Sequence, residues 1–252
     1  MPRLARVKSN TGIYHIMVRG VNKQDIFKDD EDRERFLDTL LRFKKETMFN
    51  LYAYCLMNNH LHLLLKEDEV NISDIIKKIS TSYVYYFNSK YERVGHLFQD
   101  RYKSEVVEDD KYFYSVIRYI HQNPIKARIA NIEDFKWSSY KSYIYNEELI
   151  DTDFFLNMLA TNREKAIVRY IDYMMEINND RCMEIDEFSR LSDEKVKRHI
   201  IQLGNLKNIA DIHKLEKIER NNLLRKAKAL EKVSILQVSR ITGINRRAIA
   251  KV

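Results

Sequence analysis

The run Phe49–Leu65, FNLYAYCLMNNHLHLLL, restricts the fold of this chain more than any other segment. Two apolar stretches rich in aromatic and β-forming residues are separated only by Asn58-Asn59. So short a polar break between β-prone runs leaves the backbone an antiparallel hairpin. The alternation in the second run, His60-Leu61-His62-Leu63, then sorts its side chains onto two faces, with both imidazoles on one and Leu61 on the other.

The segments around the hairpin supply the rest of a sheet and its cover. Tyr14–Val18 (YHIMV) is a short strand that leaves into a turn at Arg19-Gly20. Asp29 or Asp30 caps a helix carrying Phe36, Leu37, Leu40, Leu41 and Phe43 at near-helical spacing. Asn71 or Ser73 caps a second helix, in which Ile72, Ile75, Ile76, Ile79, Tyr83, Tyr86 and Phe87 recur every three or four residues. Tyr102–Val107 reads as another strand, and Asp109-Asp110 opens a helix running to about Gln122. Pro124 lacks a backbone donor and disfavours helical angles at Asn123, so the regular helix is expected to end there. The order β-α-β-β-α-β-α predicts an α+β fold, an antiparallel sheet with packed helices. Beyond Trp137–Tyr140 (WSSY) the patterns are almost all helical. Three parts are expected: a main domain over 1–150, a helical connecting region over 151–220, and a basic segment over 221–252.

With 44% hydrophobic and 32% charged residues, the composition is that of a soluble globular protein. No apolar run approaches the ~20 residues that cross a bilayer. The basic N-terminus lacks the apolar stretch of a secretory signal, which predicts a cytoplasmic protein. Cys55 and Cys182, far apart and without metal-type spacing, are expected to be unpaired structural residues. From Asn221 to Val252 eight basic residues face one acidic one, a net charge of +7 that equals that of the whole chain. A basic tail on a neutral body points to a polyanionic partner, or to a solvated helix face.

Two constellations carry candidate chemistry. His60 and His62 share a strand face, which suits either a divalent metal or the ordinary polar side of a half-buried sheet. In YIHQNP (Tyr119–Pro124), Tyr119 and Asn123 are four residues apart and lie one above the other on a helix. A hydroxyl and an amide oxygen presented together suit metal-assisted phosphoryl transfer, with an oxygen nucleophile attacking in line. Tyr119 by itself, one of sixteen tyrosines, reads as a packing aromatic, and Tyr112 and Tyr114 in the same helix are rival nucleophiles.

The strings YHIMVRGVNKQDIF, YAYCLMNNHLHLLL, YFNSKYERVGHLFQDRYKSEVV, YFYSVIRYIHQNPIKA and WSSY, in that order over roughly residues 1 to 145, resemble the motifs of the REP-associated tyrosine transposases. These are relatives of the IS200-type (Y1) transposases within the HUH single-strand endonucleases. The resemblance implies a ferredoxin-like HUH nuclease fold. It also implies Mg2+ or Mn2+ held by His60 and His62, with Asn123 as a third, side-chain oxygen ligand. Tyr119 would be the nucleophile that becomes joined to the 5′ phosphate of single-stranded DNA beside a palindromic repeat hairpin. Met57-Asn58-Asn59 departs from the Met-Pro-Asn common among relatives, which should loosen the turn without touching a ligand. Members of the family include dimers and monomers; a monomer is expected here. The alternative function is a catalytically silent DNA-binding regulator with the same fold, and a nuclease acting on structured RNA is a more remote one.

Specificity needs further contacts. Within Arg3 to Lys23, the side chains Arg6, Lys8, Arg19 and Lys23, and in the GHLFQDRYKS loop Arg101 and Lys103, are candidates to hold phosphates or stack bases; each is otherwise plain surface charge. VSILQVSRITGINRRAIAKV (Val233–Val252) has the pattern of a helix-turn-helix. Its expected small core is Gln237, Val238, Ile241, Ile244, Ala248, Ile249 and Val252, and Arg246 and Arg247 open a helix suited to the major groove of duplex DNA. Some members of the transposase family carry a comparable tail, resembling the DNA-binding domain of a replication initiator.

Overall fold

Four strands in the order β2-β3-β1-β4, each antiparallel to its neighbour, carry the first part of the molecule. The strands are β1 (Ile13–Arg19), β2 (Asn50–Met57), β3 (His60–Lys66) and β4 (Lys103–Val106). This computed structural model describes residues 6–177, 180, 182–183, 193–230 and 233–252. Arg3, Glu231 and Lys232 lie outside the described residues.

β2 and β3 form the expected hairpin around Asn58-Asn59, and the turn is held from outside. Ile26 and Phe27 donate their backbone N–H groups to the Asn58 carbonyl, and Arg33 Nη2 donates to Asn58 Oδ1 at 2.6 Å. Asn58 therefore anchors the turn by its own contacts where a looser turn was expected. Gly20, just after β1, is obligatory: a Cβ there would lie 2.1 Å from the Gln24 carbonyl oxygen. The close approach keeps the Gly20 N–H on the Asn59 carbonyl, extending the pairing of Arg19 with His60.

α1 (Asp30–Thr47) starts at Asp29, whose carboxylate accepts the Asp32 N–H, and α2 (Ile72–Lys90) starts at Asn71, which accepts from Asp74. Both caps satisfy end groups that the helix itself leaves open. The two helices pack together through Phe36 and Tyr83 and are clamped by Lys90, whose ammonium meets Asp29, Glu31 and the fully buried Asp32. They cover the face bearing Ile16, Leu61, Leu63 and Leu65.

α3 (Asp110–His121), capped by Asp109, crosses the opposite face and contacts β2 and β3. It ends where Pro124 predicts, but Asn123 does not leave the helical region. A new turn, α4 (Asn123–Lys126), begins there with the proline in its first positions, where a missing N–H is tolerated. Trp137–Tyr140 lies along the outer edge of β2: Leu56 N–H donates to the Trp137 carbonyl and Ser139 N–H to that of Tyr54. An otherwise open strand edge is thereby paired.

The chain separates into two compact units, Met1–Met183 and Glu184–Val252. α5 (Ser142–Tyr145), α6 (Thr152–Leu159) and α7 (Arg163–Met175) bury Tyr143, Phe155, Ala166, Tyr170 and Met174 in the same core as the sheet. The boundary expected near 150 thus falls inside the first unit. Apolar side chains of α6 and α7 have their partners on α3 and β2, a long-range relation that local patterns do not carry.

The second unit has its own core, formed by Val196 and Ile200 of α8 (Asp193–Leu203), Ile212 of the turn Ile209–Lys214, Leu223, Leu224 and Ala227 of α9 (Lys217–Lys228), Val238 of α10 (Ile235–Thr242) and Ile249 of α11 (Arg246–Lys251). The segment 221–252 is therefore not a module by itself, because it closes its core with helix α8. Gly243 ends α10 in the left-handed conformation, as its position predicts. Gln237, Val238 and Ile249 are buried and Ile241, Ile244 and Val252 half-buried, whereas Ala248, expected in this core, is exposed. No helix among the described residues is long and apolar enough to cross a membrane.

Candidate active site

On the face beneath α3, the alternate residues are His15, Met17 and Arg19 of β1 and His60, His62 and Leu64 of β3, paired as His15–Leu64, Met17–His62 and Arg19–His60. His60 and His62 sit with ring centroids 5.2 Å apart and planes nearly perpendicular. His62 has no solvent exposure, and His60 is half-buried at the mouth of the hairpin.

Burial removes the charge from these rings. His60 is pushed down to about 4, by burial first and then by the Arg19 guanidinium; His62 lies well below its ordinary value, again chiefly through burial. At neutral pH both are neutral imidazoles with one lone pair each, the form a metal accepts.

Hydrogen bonding shows which nitrogen is engaged. His60 Nδ1 donates to Asn59 Oδ1 at 2.7 Å, and His62 Nδ1 is 2.9 Å from His15 Nε2. His62 Nε2 is buried without a hydrogen-bond partner. An orphaned ring nitrogen in a protein interior is costly, and ligation by a cation relieves it.

α3 brings Tyr119 to this face. Its ring lies 5.6 Å from His62 and 5.8 Å from His15, edge-on to both, and is 5% exposed. Lys126 Nζ stands 4.3 Å above the same ring, where a cation is attracted to the π face. One turn on, Asn123 Nδ2 donates to the Tyr119 carbonyl at 2.9 Å and to that of Ile120 at 3.4 Å. The second carbonyl is the one Pro124 cannot serve. With its amide nitrogen committed to the helix, Asn123 keeps Oδ1 as an acceptor.

The rival tyrosines are elsewhere. Tyr114 packs edge-on to Phe155 and Tyr173. Tyr112 is half-buried, and burial followed by the neighbouring Glu105 carboxylate raises its phenol far above the ordinary range. Neither stacks on the histidines.

Among the described residues no cluster of three or more His, Cys, Asp or Glu side chains is arranged to hold a metal ion. The donor types the resemblance implies, two imidazoles and an amide oxygen, are ones a hard divalent ion accepts when oxygens of substrate and water fill its remaining positions. Cys55 and Cys182 are free thiols, unpaired as expected, and both are buried.

The candidate nucleic-acid contacts fall into separate places. Arg6, Arg101 and Lys103 line one open cavity together with Asp100, Tyr102, Ser104 and Met183. In it the Arg6 guanidinium lies 3.6 Å from the Tyr102 ring centre and donates to the Tyr102 carbonyl. Arg19 lies with the histidines, its Nε buried and unpartnered. Lys8 and Lys23 are exposed, and Arg246 and Arg247 stand exposed in the second unit. Sequence reasoning missed His15, Asn59 and Lys126. The signal for His15 was present in the alternation His15-Met17-Arg19, but only the antiparallel register aligns that face with the histidines of β3.

Comparison with known proteins bears on this geometry. Residues 8–123 match the family described as "Transposase IS200 like". A Haemophilus influenzae (strain Rd) protein, described as a candidate REP-associated tyrosine transposase, is 27% identical over 136 residues, covering 47% of this chain and 74% of the relative. Among solved structures, a REP-associated tyrosine transposase bound to a REP hairpin aligns over 57% of this chain and 86% of its own, with TM-score 0.49 and 16% identity. A transposase-like protein from Deinococcus radiodurans R1 aligns over 52% of this chain and 100% of its own, with TM-score 0.35 and 18% identity.

Proposed function

We propose that the IS200-like transposase domain carried by residues 8–123 makes this protein a single-strand DNA nickase and joining enzyme acting beside palindromic repeat hairpins. The observation that supports this most is the meeting of Tyr119, from α3, with His62, from β3, on one buried sheet face. Residues 57 positions apart have no local reason to adjoin.

In this reading His60, His62 and Asn123 hold Mg2+ or Mn2+, which when bound supplies positive charge against the scissile phosphate. Tyr119 Oη attacks phosphorus in line, the bond to the 3′ oxygen breaks, and the 3′-hydroxyl leaves with a proton. The 5′ side of the cut stays joined to the tyrosine as a phosphodiester. Because the phosphodiester is exchanged rather than hydrolysed, the 3′-hydroxyl of another strand can reverse the attack and join DNA without ATP. A phenol with an intrinsic pKa of about 10 must lose its proton to do this, so a nearby cation must favour the phenolate or a base must take the proton. Arg6, Arg101 and Lys103, with the Tyr102 ring among them, would hold backbone phosphates and stack a base. Lys8, Arg19 and Lys23 would add phosphate contacts.

The test is a covalent-capture assay with a labelled hairpin oligonucleotide carrying a single-stranded flank, in Mn2+. The wild-type protein should give a labelled band that survives denaturation, and Tyr119→Phe should give none. A surviving band with Tyr119→Phe, or none from the wild type across a panel of palindromic repeats, rejects the assignment and leaves the silent DNA-binding regulator.

The second unit contributes duplex contacts in the same proposal. All of the chain's net positive charge falls within 221–252, and Arg246 and Arg247 are exposed at the start of α11. Such a surface suits a major groove flanked by phosphates.

A further inference from the structure

The proposed reaction leaves one buried histidine without a role. His15 is fully buried on the same face as His60 and His62, and its Nε2 lies 2.9 Å from His62 Nδ1. β1 delivers it there, since His15 sits opposite Leu64, next along the face from the Met17–His62 pair.

A hydrogen bond between two ring nitrogens shares a single proton, so the tautomers of the two rings are tied together. When the proton belongs to His62, its Nε2 carries a lone pair. When it belongs to His15, the neutral His62 ring must carry its own proton on Nε2, and that nitrogen cannot bind a cation. The remaining nitrogens, His15 Nδ1 and His62 Nε2, are both buried and unpartnered, so no other hydrogen bond selects between the two arrangements. His60 shows the arrangement the site uses beside it: Nδ1 donates to Asn59 Oδ1, which leaves Nε2 bare.

We propose that His15 is a positioning residue for His62, accepting its Nδ1 proton at Nε2 and so presenting His62 Nε2 as a lone-pair donor to the divalent cation. This rests on the reading of His60, His62 and Asn123 as the residues that hold the ion. Metal-binding histidines ordinarily donate their second N–H to a carboxylate, a carbonyl or water. An imidazole in that place fixes the ring without adding negative charge to a buried face, and leaves the cation's charge to the substrate phosphate.

Two measurements test this on the full chain. In long-range 1H–15N correlation spectra, His62 should be the Nδ1-protonated tautomer both without metal and with Mg2+. In Mn2+ titrations followed by electron paramagnetic resonance, His15→Phe should weaken binding by about 10-fold or more, the usual size of a supporting-residue effect, and His15→Gln, whose Oε1 accepts the same proton, should stay within about 3-fold of wild type. If His15→Phe does not fold, His15→Asn takes its place; its amide is too short to reach His62 and should weaken binding like the phenylalanine. An Nε2-protonated His62, or a folded His15→Phe or His15→Asn that binds Mn2+ as tightly as wild type, overturns the proposal. If His60→Ala and His62→Ala leave Mn2+ binding unchanged, the cation reading itself fails, while the His62 tautomer in the metal-free protein still decides the part played by His15.

Discussion

The two faces of the sheet are made by alternate residues of the same strands, yet they are built on opposite terms. Beneath α1 and α2, Leu61, Leu63 and Leu65 meet Ile16 and the Phe36–Tyr83 contact, and the buried Asp32 carboxylate is paired with Lys90 at the rim. Beneath α3, the positions between those leucines are His60 and His62, joined by His15, with two ring nitrogens left unpartnered. One face gains stability from every side chain it buries. The other holds polar atoms out of water without satisfying them, a pattern expected where function is favoured over stability. Strand alternation lets one hairpin carry a core face and a candidate site at once, separated by a single residue step.

Lowering the pH should break this contrast most strongly. His15 and His121 are pushed down to about 3 by burial, and His62 lies well below its ordinary value, chiefly through burial. The unfolded chain takes up protons near its ordinary histidine pKa, about 6.5, whereas the native rings stay neutral until far lower pH. Stability is therefore complete above that value and falls as pH drops toward the native pKa values. With three such rings the slope reaches about 4 kcal/mol per pH unit, measurable by urea unfolding between pH 7 and about 5. A flat profile would show that these rings are solvated. The double variant His15→Leu/His62→Leu should remove about two-thirds of that slope.

The same double variant sharpens the comparison at neutral pH. Replacing both hydrogen-bonding partners by apolar groups is expected to leave stability unchanged or raise it by about 1 kcal/mol, while Mn2+ binding disappears. Leu63→Ala, one step along the strand and on the other face, should cost about 3 kcal/mol with Mn2+ affinity unchanged. Thermal unfolding and Mn2+ titration of the two proteins side by side would decide it, and a double histidine variant less stable than Leu63→Ala would reverse the assignment of the faces.

The smallest effect concerns the cavity beside β4. Arg6→Ala removes one guanidinium from Tyr102 and should weaken binding of a hairpin oligonucleotide by about 1 kcal/mol, reducing the salt dependence by about one phosphate contact. An unchanged salt slope would make Arg6 a packing residue of that cavity.

Much of the first unit could be read along the chain, because its signals are local. Alternation in β1 and β3, the three-to-four spacing in α2 and the caps Asp29, Asn71 and Asp109 each depend on residues within one turn or one pleat. The duplication of His60 and His62 on one face followed from period two alone. Pairing of Tyr119 with them did not, since its helix also holds Tyr112 and Tyr114, and the order of motifs over residues 1 to 145 was needed to choose. The connecting region failed as a separate part because Phe155, Tyr170 and Met174 look the same whether they bury against each other or against α3.

What the sequence determined by itself is therefore the hairpin Phe49–Leu65 and the side of it on which the imidazoles stand, since backbone geometry allows alternate residues no other course. What only the tertiary structure decided is what meets them there. Antiparallel register carries His15 to His62, and the path of α3 carries Tyr119 over both rings. Both are contacts between residues remote in the chain, selected by burial of the whole sheet face rather than by any neighbour in sequence.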